Sequence, residues 1–151
     1  MIALIQRVTK ASVSVANKVI NSIDNGYAIL IGVKEGDSEK EIKFLAEKTV
    51  NLRIMSGQNS KMNLSILDTE GEILVISQFT LYADLTSGRR PSFIRSAKPE
   101  IAEKLYNLYI DELKKLGVKK VVSGEFGAFM SVEIINDGPV TIIADSDDFI
   151  K

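Results

Sequence analysis

Three short stretches of the chain carry residue types that could do chemistry. The first is Ser77-Gln78-Phe79-Thr80-Leu81, which directly follows the apolar run at 71–76. In a strand, Ser77 and Phe79 share one face while Gln78 and Thr80 share the other. Both hydroxyls therefore line one pocket only where the strand bends or ends. Hydroxyls at a strand end are equally suited to bonding nearby backbone, so the stretch alone leaves both roles open.

The second stretch, 87–98, gathers Arg89, Arg90, Arg95 and Lys98 around Phe93. Such a cluster holds phosphates while an aromatic ring stacks a base. A solvated charge run beside a core phenylalanine has the same composition. The lysines at 114–120 extend a basic face, or simply answer the dipole at a helix C-terminus. The third stretch is Asn136-Asp137-Gly138-Pro139-Val140-Thr141. It interrupts β-branched, strand-like flanks with a residue that lacks an N–H. This composition predicts a tight turn between two closing strands. An X-Pro bond takes the cis form at a cost of about 0.5–1 kcal/mol, and a cis Pro139 makes a type VI turn.

What is missing narrows the chemistry. The chain has no cysteine and no histidine. Disulfides, thiolate metal sites, Ser-His-Asp and Cys-His triads and the usual neutral-pH proton shuttle are excluded. The acidic run at 145–148 lacks the periodicity of a calcium loop, and no metal or cofactor is expected. With a net charge of −1, any nucleic-acid partner must be met by a local basic patch. The N-terminal residues are broken by Gln6 and Arg7 before any signal-peptide core or spanning segment forms. A soluble, cytoplasmic protein without membrane or DNA partners is expected.

The elements that must position these residues follow from periodicity. The length, 151 residues, fits one domain over 1–151. Residues 1–15 alternate as a half-buried strand, and 18–23 return as its hairpin partner across Ala16-Asn17. Residues 26–33 form a continuous apolar run, a central strand buried on both faces. Ser38 and Glu41 have capping-box spacing, and Ile42, Leu45, Ala46 and Thr49 then give an amphipathic helix over 38–51. Residues 56–63 read as a loop. Two strands are predicted on either side of the turn-forming residues 68–71. A second helix starts at Pro99 and ends at Gly117. Residues 124–130, with two glycines and two phenylalanines, read as a turn before core aromatics, or as a wall for an adenine. The fold class is mixed α/β: two helices against a mixed sheet, with further strands as a second layer.

Taken in register, the first and third stretches with the intervening Gly-Arg-Arg-Pro-Ser-Phe (88–93) closely resemble the D-aminoacyl-tRNA deacylases, also known as D-tyrosyl-tRNA deacylases. Gln6-Arg7-Val8 and Phe126-Gly127-Ala128-Phe129-Met130 fit as well. Each motif alone is weak, and three in order are specific. The resemblance runs over essentially the whole chain.

It implies a homodimer that hydrolyses the ester between a D-amino acid and the terminal adenosine of tRNA, and that also acts on mischarged glycyl-tRNA. It implies a cis Gly138-Pro139 bond that enters the other subunit's active site as a chiral selector. Ser77, Gln78, Phe79 and Thr80 would line the pocket, Arg7 would hold the Gly-Pro loop, and Phe126 and Met130 would border the substrate. Under that reading the N–H groups of Phe79 or Thr80, with the Gln78 side chain, are natural donors to an oxyanion, a role worth roughly 3–4 kcal/mol. Thr80 is a poor unassisted nucleophile. An oriented water, or the substrate's 2′-hydroxyl, is favoured for the chemistry. Two other readings compete: a hydrolase of small D-amino-acid esters, which needs no basic surface, and a non-catalytic RNA-binding dimer.

Overall fold

The computed structural model describes residues 1–150. Strand β1 (Ile2–Val15) is the spine of the sheet. Its far half pairs with β2 (Lys18–Ile23) through a hairpin whose corner residues, Ala16 and Asn17, both have positive φ, 49° and 62°. That corner suits the twist of a two-residue hairpin. Its near half pairs antiparallel with β3 (Gly26–Gly32).

Two right-sized crossovers then extend the sheet in parallel. Helix α1 (Glu39–Asn51) connects toward β6 (Glu72–Ser77), which lies parallel to β3. Helix α2 (Pro99–Lys115) connects β6 to the parallel β7 (Val121–Ser123). Ser38 caps α1 in the reciprocal manner its spacing predicts: its hydroxyl accepts from the Lys40 N–H, and Glu41 reaches back to the Ser38 N–H. Pro99 opens α2, and Gly117, at φ +102°, closes it.

The core is divided by the sheet. On one face, Ala3, Ile5, Tyr27, Ile29, Ile73 and Val75 meet the buried sides of α1 and α2. On the other, Val8, Ala11, Val13, Ala28, Leu74 and Ile76 pack inside the curled sheet. Alternation along β3 and β6 supplies both faces, as a strand of period two must. The two-helix, two-layer expectation therefore holds. No helix is long and apolar enough to cross a membrane among the described residues.

Three local expectations are corrected. Residues 56–63 are not all loop, because β4 (Met55–Ser56) and β5 (Met62–Leu64) form a small separate hairpin. Before residues 68–71 there is no long partner for β6: the Asp68 carboxylate accepts from both the Ser65 N–H and hydroxyl at 2.8 Å, and residues 66–70 wind into turns. Side-chain bonds of this kind compete with a ladder. Finally, the two closing strands are one, β8 (Met130–Asp145), antiparallel to β1 on both sides of Gly138-Pro139. Gln6 faces Thr141 and Val8 faces Asn136, so residues 137–140 bulge opposite Arg7 alone. A bulge absorbs the missing N–H of proline without reversing the chain.

Candidate active site

A cleft of about 740 Å³ opens where β6 ends. Ser77 is the last residue of the strand, and the Gln78 N–H still donates to the Ile31 carbonyl at 2.8 Å. The chain then tightens into a 3₁₀ turn over Phe79–Tyr82, with the Leu81 N–H donating to the Gln78 carbonyl at 3.3 Å. This is the strand end that lets neighbouring polar residues share one site. Ser77, Gln78 and Phe79 line the cleft. Thr80 sits just outside it, exposed, its hydroxyl accepting a hydrogen bond from the Gln78 side-chain amide.

The cleft floor and walls are apolar, from Ile31, Val33, Ile76, Ala102, Phe126 and Met130. Tyr106 was not singled out by periodicity, because its ring falls on the helix face that also builds the core. It lines the floor and donates its hydroxyl to the Val75 carbonyl at 2.9 Å. Burial pushes its phenol up to about 12. Its ring lies 5.8 Å from that of Phe126. Gly124 makes room for Met130: a Cβ there would stand 2.5 Å from the methionine sulfur. Phe79 and Phe93 meet edge to face at 4.9 Å across the rim, and the Ser96 hydroxyl donates to the Phe79 carbonyl at 3.1 Å. Phe129 is nearly fully exposed at the same rim.

The basic cluster is dispersed. Lys98 precedes α2 and lines the cleft. The Arg95 guanidinium lies over the Tyr82 ring at 5.6 Å. Arg89 and Arg90 are exposed at the tip of a loop that is closed by paired backbone hydrogen bonds between Asp84 and Ser92, 2.8 and 3.0 Å.

Arg7, Gly138 and Pro139 lie elsewhere. None of them lines this chain's cleft. The Gly138-Pro139 peptide is cis, Gly138 has φ +123°, and both residues are exposed on the bulge of β8. The Arg7 side chain is buried beneath them. Its Nε donates to the Asp137 carbonyl at 3.2 Å and lies 3.0 Å from the Asp137 carboxylate. Its Nη1 donates to the Ile54 carbonyl at 2.7 Å and to the Ser56 hydroxyl at 3.1 Å. Ser56 and Ile54 escaped notice in the sequence because nothing local links that hairpin to residue 7.

Known proteins resemble this chain over nearly its whole length. The family model described as D-Tyr-tRNA(Tyr) deacylase matches residues 4–145. A D-aminoacyl-tRNA deacylase of Thermosipho africanus is 52% identical over 146 residues, covering 97% of each chain. One from Roseiflexus sp. (strain RS-1) is 53% identical over 146 residues, covering 97% of this chain and 94% of its own. Among solved structures, the c-Myc DNA unwinding element binding protein superposes with a TM-score of 0.91 at 39% identity, over 96% of this chain and 98% of its own. A probable eukaryotic D-amino acid tRNA deacylase shares the fold, with a TM-score of 0.81 at 17% identity over 95% of this chain and 97% of its own. With a match over nearly its whole length and half its residues in common with these enzymes, the chain belongs to the D-Tyr-tRNA deacylase family, the D-aminoacyl-tRNA deacylases, which are hydrolases.

Proposed function

We propose that this protein cleaves the ester joining a D-amino acid to the 3′-terminal adenosine of tRNA, with Gly138 and Pro139 of a second copy as the stereochemical wall. The observation that carries this reading is a separation. The polar strand end and its cleft lie on one part of the chain, and the rigidly held, exposed Gly138-Pro139 bulge lies on another. A homodimer would bring the two together. Backbone carbonyls fixed in direction cannot relax around an L-substituent as a flexible side chain could, so discrimination comes from exclusion. Glycine presents no side chain to exclude, and glycyl-tRNA passes the same filter.

In this reading the protein positions and the substrate reacts. A water oxygen, oriented beside the substrate's 2′-hydroxyl, attacks the ester carbonyl carbon, and the carbonyl electron pair moves onto oxygen. The N–H groups of Phe79 and Thr80 open the 3₁₀ turn and donate to no backbone carbonyl among the described residues. With the Gln78 amide they are the donors for that oxyanion. Collapse breaks the bond to the ribose 3′-oxygen, which takes up the proton lost by the attacking water. The products are a free D-amino acid and tRNA. Ser77, Phe126 and Met130 border the substrate, and Arg89, Arg90, Arg95 and Lys98 meet the RNA backbone. Incubation with D-tyrosyl-tRNA and L-tyrosyl-tRNA tests the reading: release is expected from the D-ester alone. Equal rates, or none, overturn it.

A further inference from the structure

Arg7 joins two elements that are far apart in sequence. Its Nε edge faces the β8 bulge, at the carbonyl and carboxylate of Asp137. Its Nη1 faces the β4–β5 hairpin, at the Ile54 carbonyl and the Ser56 hydroxyl. Nη2 lies next to the bulge itself, 3.3 Å from where a Cβ on Gly138 would be. A guanidinium is planar, with its five donors in a fixed fork. Bonded along one edge only, it keeps freedom to swing about that edge. Bonded on both, its plane is set, and so is the backbone above it.

The hairpin is built to give that second edge. Arg53 Nε donates to the Asn63 carbonyl at 2.8 Å across its base. The Gly57 N–H donates to the Lys61 carbonyl at 3.2 Å, closing the tip. Ile54 contributes only a backbone oxygen, so Ser56 is the one side chain on this edge that bonds Arg7 among the described residues.

We propose that Ser56 is a positioning residue for stereochemical selection: through Arg7 it fixes the direction of the Gly138-Pro139 wall, without itself touching substrate. The proposal rests on the reading of that wall given above. A hydroxyl lost here leaves the Nη1 edge on the Ile54 carbonyl alone, one bond in place of two, so the fold survives while that edge can pivot and the wall loosens.

The test compares the unaltered protein with Ser56→Ala, Ser56→Thr and Asp137→Asn. Release is measured from D- and L-tyrosyl-tRNA, with the melting temperature of each variant. Ser56→Ala is expected to lower the D-to-L ratio of kcat/KM about 3- to 10-fold, mainly by raising the L rate, as suits the loss of one hydrogen bond of ordinary strength. The melting temperature should change little, and Ser56→Thr, which keeps the hydroxyl, should restore the ratio. Asp137→Asn weakens the opposite edge and should lower the ratio as well. If Asp137→Asn lowers it and Ser56→Ala does not, Arg7 is set from β8 alone and the role of Ser56 is overturned. If neither variant moves a large D-to-L ratio, the wall itself is misassigned.

Discussion

The Gln78 side-chain amide donates to the Thr80 hydroxyl across a single residue of the 3₁₀ turn. The hydroxyl oxygen is therefore occupied as an acceptor, on an exposed residue at the edge of the cleft rather than inside it. No histidine exists to take its proton. A threonine so placed holds Gln78 in position and is poorly set to attack. Thr80→Val is expected to keep turnover within about fivefold of the unaltered protein, because it removes one neutral hydrogen bond. Single-turnover release from D-tyrosyl-tRNA measures it. Abolished chemistry with intact substrate binding would make Thr80 the nucleophile.

Gly138 occupies a backbone conformation, φ +123°, that other residues rarely adopt. A Cβ there would meet the Val140 side chain at 2.9 Å, the Val140 backbone nitrogen at 3.1 Å and Arg7 Nη2 at 3.3 Å. Gly138→Ala is expected to cost about 1–3 kcal/mol of stability, the range for a strained left-handed position. It should also displace the bulge and reduce the D-to-L ratio. Thermal unfolding and the paired release assay report the two effects separately.

Arg89 and Arg90 project from a loop tip pinned at Asp84 and Ser92, away from the cleft floor. If they meet tRNA phosphates, Arg89→Ala/Arg90→Ala should raise KM for aminoacyl-tRNA severalfold and flatten its salt dependence by about one unit of log-log slope per lost phosphate contact. Cleavage of a D-aminoacyl-adenosine fragment should be unchanged, since it lacks the RNA backbone these residues reach. Equal losses on both substrates would place the arginines in the cleft's own chemistry.

Signals set by neighbours in sequence specify their elements, and signals that need a distant partner do not. The capping box at Ser38, the Ala16-Asn17 hairpin and the Pro99 start of α2 are set by neighbours in sequence, and they stand where spacing puts them. The bulge at Gly138-Pro139 is different. Asn-Asp-Gly-Pro is turn chemistry, and only pairing with β1 on both sides makes it a detour within one strand. By local pattern Arg7 is a charge breaking an apolar strand, only the family resemblance ties it to the Gly-Pro loop, and its partners come from Ile54, Ser56 and Asp137. The basic residues at 89–98 form one patch in sequence, yet the loop carries them in separate directions. Position within a site depends on contacts between distant segments, which no local pattern encodes.

The acidic limb of stability should be set by a few bonded aspartates. Hydrogen bonds from Ser65 hold the Asp68 carboxyl below its ordinary range, and those from Thr86 do the same for Asp84. The Lys34 ammonium lowers Asp147 and is itself raised by that partner. A carboxylate lowered in the folded state lends stability that is fully present above its unfolded pKa, and this is lost as pH falls through the folded value. An ammonium raised in the folded state lends stability that is lost only as pH rises through its own folded value. With no histidine to titrate in between, the melting temperature should be flat from about pH 5 to 7 and decline below about pH 4. Asp68→Asn removes one of the contributing groups and should make the acid decline shallower. Calorimetry across this range checks the profile. An inflection near pH 6–7 would require a shifted group that none of these bonds supplies.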